Sequence, residues 1–167
     1  MSEVVLRRAD PSDADVLLTV ERDCGLEALG HVFPPESFPY PIEQVRARWE
    51  QVLVDPEAVT LLAVARETGA GCGFVCVRQG VVEHLGVDPA RQREGIGSLL
   101  LAEAVRIAHD DRTAEVSLWC LVDNHRALSF YARAGWVSTG EIQQAEFAPF
   151  PFEQRLVLSA PVSERAS

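Results

Sequence analysis

The chain has 167 residues, with 25 Asp and Glu against 15 basic residues, a formal charge of −10 and 47% hydrophobic content. Every basic residue is arginine; there is no lysine, a bias read as GC-rich coding rather than function. This length suits one domain and buries roughly two thirds of the unfolded surface, so no disulfide or structural metal is required. The acidic balance excludes nonspecific binding to nucleic acid or anionic membrane, because no basic stripe can release phosphate counterions. It favours cationic partners, amines among them.

Met1 to Arg8 lacks the basic leader and long apolar run of a signal peptide. No apolar stretch reaches the ~20 residues of a membrane span, so a cytoplasmic protein is expected. Cys24, Cys72, Cys76 and Cys120 lack metal-ligand spacing and read as small buried hydrophobes in a reducing compartment. Cys72 and Cys76, four apart in one apolar strand, are expected on the same strand face.

Val4 to Ala9 reads as a strand. Asp10-Pro11-Ser12-Asp13 opens a helix, with Asp10 as N-cap, Pro11 in the first turn and Asp13 near the positive end of the dipole. Its apolar positions are Val16, Leu17, Val20 and Leu26. Residues 30–41 hold four prolines and form an irregular, aromatic-rich loop. A second helix carries Ile42, Val45, Trp49 and Val52 or Leu53 at helical spacing. Val59 to Arg66, Gly73 to Arg78 and Val81 to Val87 read as strands joined by turns. A third helix aligns Ile96, Leu99, Leu100, Ala104 and Ile107. Glu115 to Leu121 is a strand, and Arg126 to Ala134 a short helix capped by Gly135. Trp136 to Thr139 and Glu153 to Leu158 read as the last strands. The expected organisation is one α/β domain over residues 1–158, hairpin-rich first and βαβα at its centre, with a polar tail over 159–167.

The densest signal is Asp88-Pro89-Ala90-Arg91-Gln92-Arg93-Glu94-Gly95-Ile96-Gly97-Ser98, where a strand ends and two glycines lead into an amphipathic helix. Free N–H groups at a helix N-terminus, a favourable dipole and glycines that admit close approach make an anion cradle. No Gly-Lys-Ser/Thr follows, so this is not a Walker loop, and the spacing fails the dinucleotide fingerprint.

Gln92-Arg93-Glu94-Gly95-Ile96-Gly97 resembles the Gln/Arg-x-x-Gly-x-Gly/Ala pyrophosphate loop of the GNAT superfamily of N-acetyltransferases. The stretch from Leu118 to Trp136, with Asn124, Ala127, Phe130-Tyr131 and Gly135-Trp136, is similar to that superfamily's second motif. The resemblance implies a GNAT fold: an α/β (α+β) domain whose mixed, mostly antiparallel sheet is splayed between the Val81–Val87 and Glu115–Leu121 strands and flanked by helices. It implies acetyl-CoA as donor, bound in the splay, with coenzyme A as product.

By the same resemblance, Leu85, Gly86 and Val87 contact the pantetheine arm through their backbone. Gln92, Arg93, Glu94, Gly95, Ile96, Gly97 and Ser98 hold the pyrophosphate. Asn124 and Ala127 belong to the cofactor wall, and Tyr131 acts as general acid on the departing thiolate. For the base, strand alternation puts Glu83 with Val81, Leu85 and Val87 on one face and His84 with Val82 and Gly86 on the other. Glu83 is the favoured base, with an exposed Glu–Arg pair as its alternative. His84 is expected as a hydrogen-bonded core residue.

The resemblance places residues ~15–45 over the acceptor, and the positions 10–36 hold seven acids against the single Arg22. That concentration suits a cationic amine. His31, Phe33 and Tyr40 are expected to wall the acceptor pocket, with the Phe147–Phe152 segment closing it. Equally, these aromatics are core covers or a homodimer contact. The activity expected is acetylation of a primary amine on a small molecule by direct attack; a protein or peptide acceptor and a non-catalytic acyl-CoA sensor are the alternatives.

Overall fold

The computed structural model describes residues 3–110 and 115–159. In chain order it contains β1 (Val4–Arg8), α1 (Ala14–Leu29), α2 (Ile42–Val54), β2 (Ala58–Ala65), β3 (Gly71–Arg78), β4 (Val81–Val87), α3 (Ile96–Asp110), β5 (Glu115–Leu121), α4 (His125–Arg133), β6 (Val137–Gln144) and β7 (Phe152–Ser159). The strands form one seven-stranded sheet in the order β1-β2-β3-β4-β5-β7-β6. Every neighbouring pair is antiparallel except β4 and β5. Those two pair in parallel only at Val81 with Ser117 and Val82 with Leu118, and beyond Val82 they part. The expected mixed, splayed α/β sheet is therefore present.

Two apolar layers cover the sheet. On one face, Ile96, Leu100, Leu101, Ala104 and Ala108 of α3 and Tyr131 of α4 pack on Val75, Val77, Val82, Val116 and Leu118. On the other, Leu17, Leu18 and Val20 of α1 and Val45 and Trp49 of α2 pack on Leu62, Phe74 and Cys76. Trp49 is wholly buried. Truncating such a side chain to alanine costs about 3–5 kcal/mol. The helical stripes differ in detail from the periodicity reading. Val16, Leu26, Ile42 and Leu99 are exposed, while Leu18, Leu101 and Ala108 are inside.

The entry to α1 is fixed by a reciprocal capping box. The Asp10 side chain accepts from the Ser12 N–H at 2.8 Å, and Asp13 accepts from the Asp10 N–H at 2.9 Å. Asp13 does more than sit near the dipole. It is buried and takes two 2.8 Å hydrogen bonds from Arg7 of β1, which lowers its pKa and ties strand to helix.

Cys72 and Cys76 do not share a face. Ala63 pairs with Gly73 but Val64 with Gly71, so Cys72 is an extra residue in β3. The bulge turns its thiol to the α3 face, where Arg91 Nη1, from the turn before α3, donates to it at 3.2 Å, while Cys76 packs with Trp49 and Phe74. All four cysteines are free thiols, and the described residues contain no cluster able to hold a metal. No described helix is long and apolar enough to cross a membrane. β6 runs to Gln144, five residues past the expected Thr139, because every one of its residues is exposed and no apolar alternation marks it. Ser159 closes β7 rather than opening a tail; residues 160–167 of the expected tail lie outside the described residues.

Candidate active site

The site is built where β4 leaves β5. From His84 to Val87, β4 pairs with β3 alone, through Cys76–His84, Val75–Leu85, Phe74–Gly86 and Gly73–Val87. Its other edge pairs with no strand among the described residues, which leaves the backbone of Leu85, Gly86 and Val87 facing the cleft, with the Val87 backbone hydrogen-bonded to Cys24 of α1. Gly86 is required there. A Cβ would stand 2.8 Å from the Phe74 ring and 3.5 Å from Cys24 Sγ of α1.

After β4, Asp88 caps a short 3₁₀ turn at Pro89–Arg91, accepting from the Ala90 N–H. Arg93 and Gly95 then take positive φ of 67° and 84°. Among the described residues the N–H groups of Arg93 to Ser98 donate to no protein acceptor; the first helical bond is from the Leu99 N–H to Gly95 O at 3.0 Å. Left-handed residues interleaved in a turn aim successive N–H groups into one concavity, and the dipole of α3 reinforces it. The Arg93 side chain forms no ion pair among the described residues, whereas Arg91 pairs with Glu94 at 2.7 Å. A Cβ at Gly95 would meet nothing within 4 Å, so the turn is open to solvent. These residues fit a pyrophosphate.

The opposite wall is α4. Asn124 caps it, its side chain accepting from the Ala127 N–H at 3.2 Å, and Gly135 at φ 92° ends it. Tyr131 is 8% exposed, between the rings of Phe130 at 5.3 Å and Trp136 at 5.9 Å. Its hydroxyl has no hydrogen-bond partner among the described residues. Burial, with Cys120 and Cys24 nearby, pushes its pKa up, which keeps it protonated.

The predicted alternation along β4 is corrected by a bulge. Val77 pairs with Val82 and Cys76 with His84, so Glu83 is an extra residue. Val82 consequently shares the α3 face with Leu85 and Val87, and Glu83 turns to the α1/α2 face with His84. There Glu83 pairs with Arg78 at 3.4 Å, and Arg78 also holds Asp55 at 3.1 Å. His84 is not hydrogen-bonded to any described residue, contrary to expectation. Its ring lies on Trp49, and burial, followed by the charge of Arg48, pushes its pKa down to about 3.

Of the expected acceptor residues, Tyr40 and the Phe147 expected to close over them pack on the same α1/α2 core. Exposed His31 meets Asp123 O through Nε2 at 2.9 Å, in the loop before α4. Phe33 is half-buried in its loop, and Tyr40 is half-buried beside Gly25 of α1, with its pKa raised by burial. Of the other aromatic segment, Phe147 packs on the α1/α2 core while Phe150 and Phe152 are exposed. The acids of 10–36 are not a free negative field. Asp13, Asp15, Glu21, Asp23 and Glu27 are each ion-paired, to Arg7, Arg46, Arg48, Arg22 and Arg126 respectively. Glu21 accepts from Arg48 at 2.5 and 2.6 Å and from Trp49 Nε1 at 2.6 Å, while Asp13 is the most enclosed of the five. Sequence reasoning missed Cys24, Glu27 and Arg126 at the cleft. Arg126 stands inside the second motif, but its partner is 99 residues away.

A sheet parted between two parallel strands, with an N–H-lined turn at the parting, defines a binder of a phosphorylated cofactor. Comparison with known proteins makes this specific. The model of the Acetyltransferase (GNAT) family matches residues 26–136, and the chain belongs to that family, whose cosubstrate is acetyl-CoA. A mycothiol acetyltransferase of Kineococcus radiotolerans is 36% identical over 113 residues, covering 66% of this chain and 37% of the relative. The chain thus spans about two fifths of the length of the curated relatives it matches. Among solved structures, a GCN5-related N-acetyltransferase from Rhodopseudomonas palustris superposes with TM-score 0.74 at 20% identity, over 96% of this chain and 98% of that one. The PaiA N-acetyltransferase from Thermoplasma acidophilum, in complex with coenzyme A, gives 0.70 at 18% identity, over 92% and 98%.

Proposed function

We propose that this chain is an acetyl-CoA-dependent N-acetyltransferase that acetylates a primary amine of a small molecule by direct attack in a ternary complex. The observation that carries the reading is the row of unpartnered N–H groups from Arg93 to Ser98 at the mouth of the β4–β5 parting. The small-molecule acceptor is supported by the Kineococcus relative, a mycothiol acetyltransferase.

Direct transfer needs a neutral amine, a donor for the developing oxyanion and a proton for the leaving thiolate. The edge of β4 that no strand covers beyond Val82 suits the second requirement. The buried, protonated Tyr131 hydroxyl suits the third. Glu83, turned onto the acceptor-side face by the bulge, is the proposed base or amine-orienting group. His84 beside it stays neutral at physiological pH. Leu85, Gly86 and Val87 hold the pantetheine, Gln92 to Ser98 the pyrophosphate, and Asn124 with Ala127 the wall behind them.

The test is a panel of small amines and short peptides, with thiol release from acetyl-CoA as readout. Turnover above hydrolysis with a small amine is expected. Binding of acetyl-CoA without turnover of any amine would leave a sensor, and preference for the peptides would move the acceptor class.

A further inference from the structure

We infer that Arg126 is a further cofactor-binding residue, held by Glu27 until the pyrophosphate of coenzyme A takes it over. The inference rests on coenzyme A being the ligand of the cleft.

Glu27 lies near the end of α1, and three elements meet at its carboxylate. Arg126 Nη1, in the first turn of α4, donates to both its oxygens at 3.2 Å. Gln92 Nε2, in the phosphate turn, donates to Oε2 at 3.4 Å. These donors come from opposite walls of the cleft. Gln92 directly precedes the unpartnered N–H groups of Arg93 to Ser98, and Arg126 lies two residues after the capping Asn124. A second tie, from His31 Nε2 to Asp123 O at 2.9 Å, joins the chain just past α1 to the loop before α4.

A guanidinium from the first turn of α4 and a primary amide from the phosphate turn hold an anion here, and the anion is the protein's own. Within the phosphate turn Asp88 and Glu94 match the charges of Arg91 and Arg93, and Glu27 is a further carboxylate beside it. Glu27 adds negative charge beside the phosphate turn, and it occupies a guanidinium and an amide that could otherwise reach a pyrophosphate held there. The Glu27–Arg126 pair is exposed, 45% and 55% for the two side chains, so solvent screens it and it exchanges readily. A pyrophosphate offers Arg126 more charge and several oxygens for a bidentate contact.

Because Glu27 competes with the cofactor for Arg126, the two residues act on affinity with opposite signs. The test is calorimetric titration of the full chain and its Glu27→Gln and Arg126→Gln variants with coenzyme A and with dephospho-coenzyme A. Arg126→Gln is expected to raise Kd roughly tenfold for both ligands. Glu27→Gln is expected to lower it about threefold. Ligand-free melting of each variant reports its folding. A purely structural clasp would move both variants in the same direction, and that result, or unchanged affinity in both, overturns the inference. A loss seen with coenzyme A but not with dephospho-coenzyme A places Arg126 on the 3′-phosphate and also overturns it. If the wild-type chain binds neither ligand, the coenzyme A reading itself fails, and that outcome is distinct from the others.

Discussion

The imidazole of His84 lies on the indole of Trp49, ring centroids 5.4 Å apart and planes tilted by 60°. The same indole carries an edge contact to Phe74 at 5.3 Å, and Arg48 stands over it at 5.5 Å. A protonated His84 would therefore sit in an apolar layer beside a guanidinium. Its folded pKa of about 3 lies below the ordinary 6.5, so between those values the unfolded chain binds the extra proton. Stability from this site is full above pH 6.5 and is lost as pH falls toward 3. By pH 5 the loss is about 2 kcal/mol. Urea denaturation of His84→Phe at pH 7.5 and pH 5 should show a gap smaller by that amount than the wild type shows; an equal gap would remove His84 from the acid response.

β4 illustrates what could and could not be read in advance. Its ends, Val81 and Val87, follow from the turn residues and the apolar run, and the parting from β5 follows from the two GNAT-like motifs. The bulge at Glu83 does not, because one extra residue leaves local composition unchanged and shows only in the register with β3. The same holds for Cys72 in β3. The phosphate turn was legible because glycine spacing and helix start are local features. The Glu27–Arg126 tie and the pairing of the α1 acids with distant arginines depend on tertiary contacts that no spacing encodes.

Tyr131→Phe removes a hydroxyl with no protein partner among the described residues, so the fold should lose less than about 1 kcal/mol. If that hydroxyl protonates the leaving thiolate, kcat should fall at least roughly a hundredfold. The Kd for coenzyme A should barely move. Stopped-flow turnover with paired calorimetry separates the two; an unchanged kcat would dismiss the acid.

Gly95 and Gly97 should respond differently to alanine. At Gly95, φ of 84° strains any L-residue although a Cβ would meet nothing within 4 Å, so Gly95→Ala should cost about 1–2 kcal/mol of stability. At Gly97, in the first turn of α3, a Cβ would find ordinary contacts at 3.6 Å with Phe130 and Val87. Gly97→Ala should thus leave the ligand-free protein as stable or up to about 1 kcal/mol more so. Both should weaken coenzyme A, Gly95 by deforming the N–H row and Gly97 by obstructing approach to it. Melting curves with and without coenzyme A give both quantities. A Gly97→Ala protein stabilised by coenzyme A as strongly as the wild type would mean that the phosphates do not come near α3.

Glu83 and His84 share the α1/α2 face through the bulge, which makes both of them candidate bases for the proposed transfer. They differ in environment. Glu83 is exposed and paired to Arg78, so Glu83→Gln should change stability by less than about 1 kcal/mol. His84 is already neutral across the range in which the enzyme would work, since its pKa sits near 3. A carboxylate base therefore predicts an acid limb in kcat/KM that disappears in Glu83→Gln, with activity at neutral pH down roughly a hundredfold. His84→Gln should keep that limb, because protonation of His84 falls outside the window. Should the Glu83→Gln enzyme retain both the limb and the neutral rate, the proton must leave through solvent, and Glu83 is then a partner of Arg78 alone.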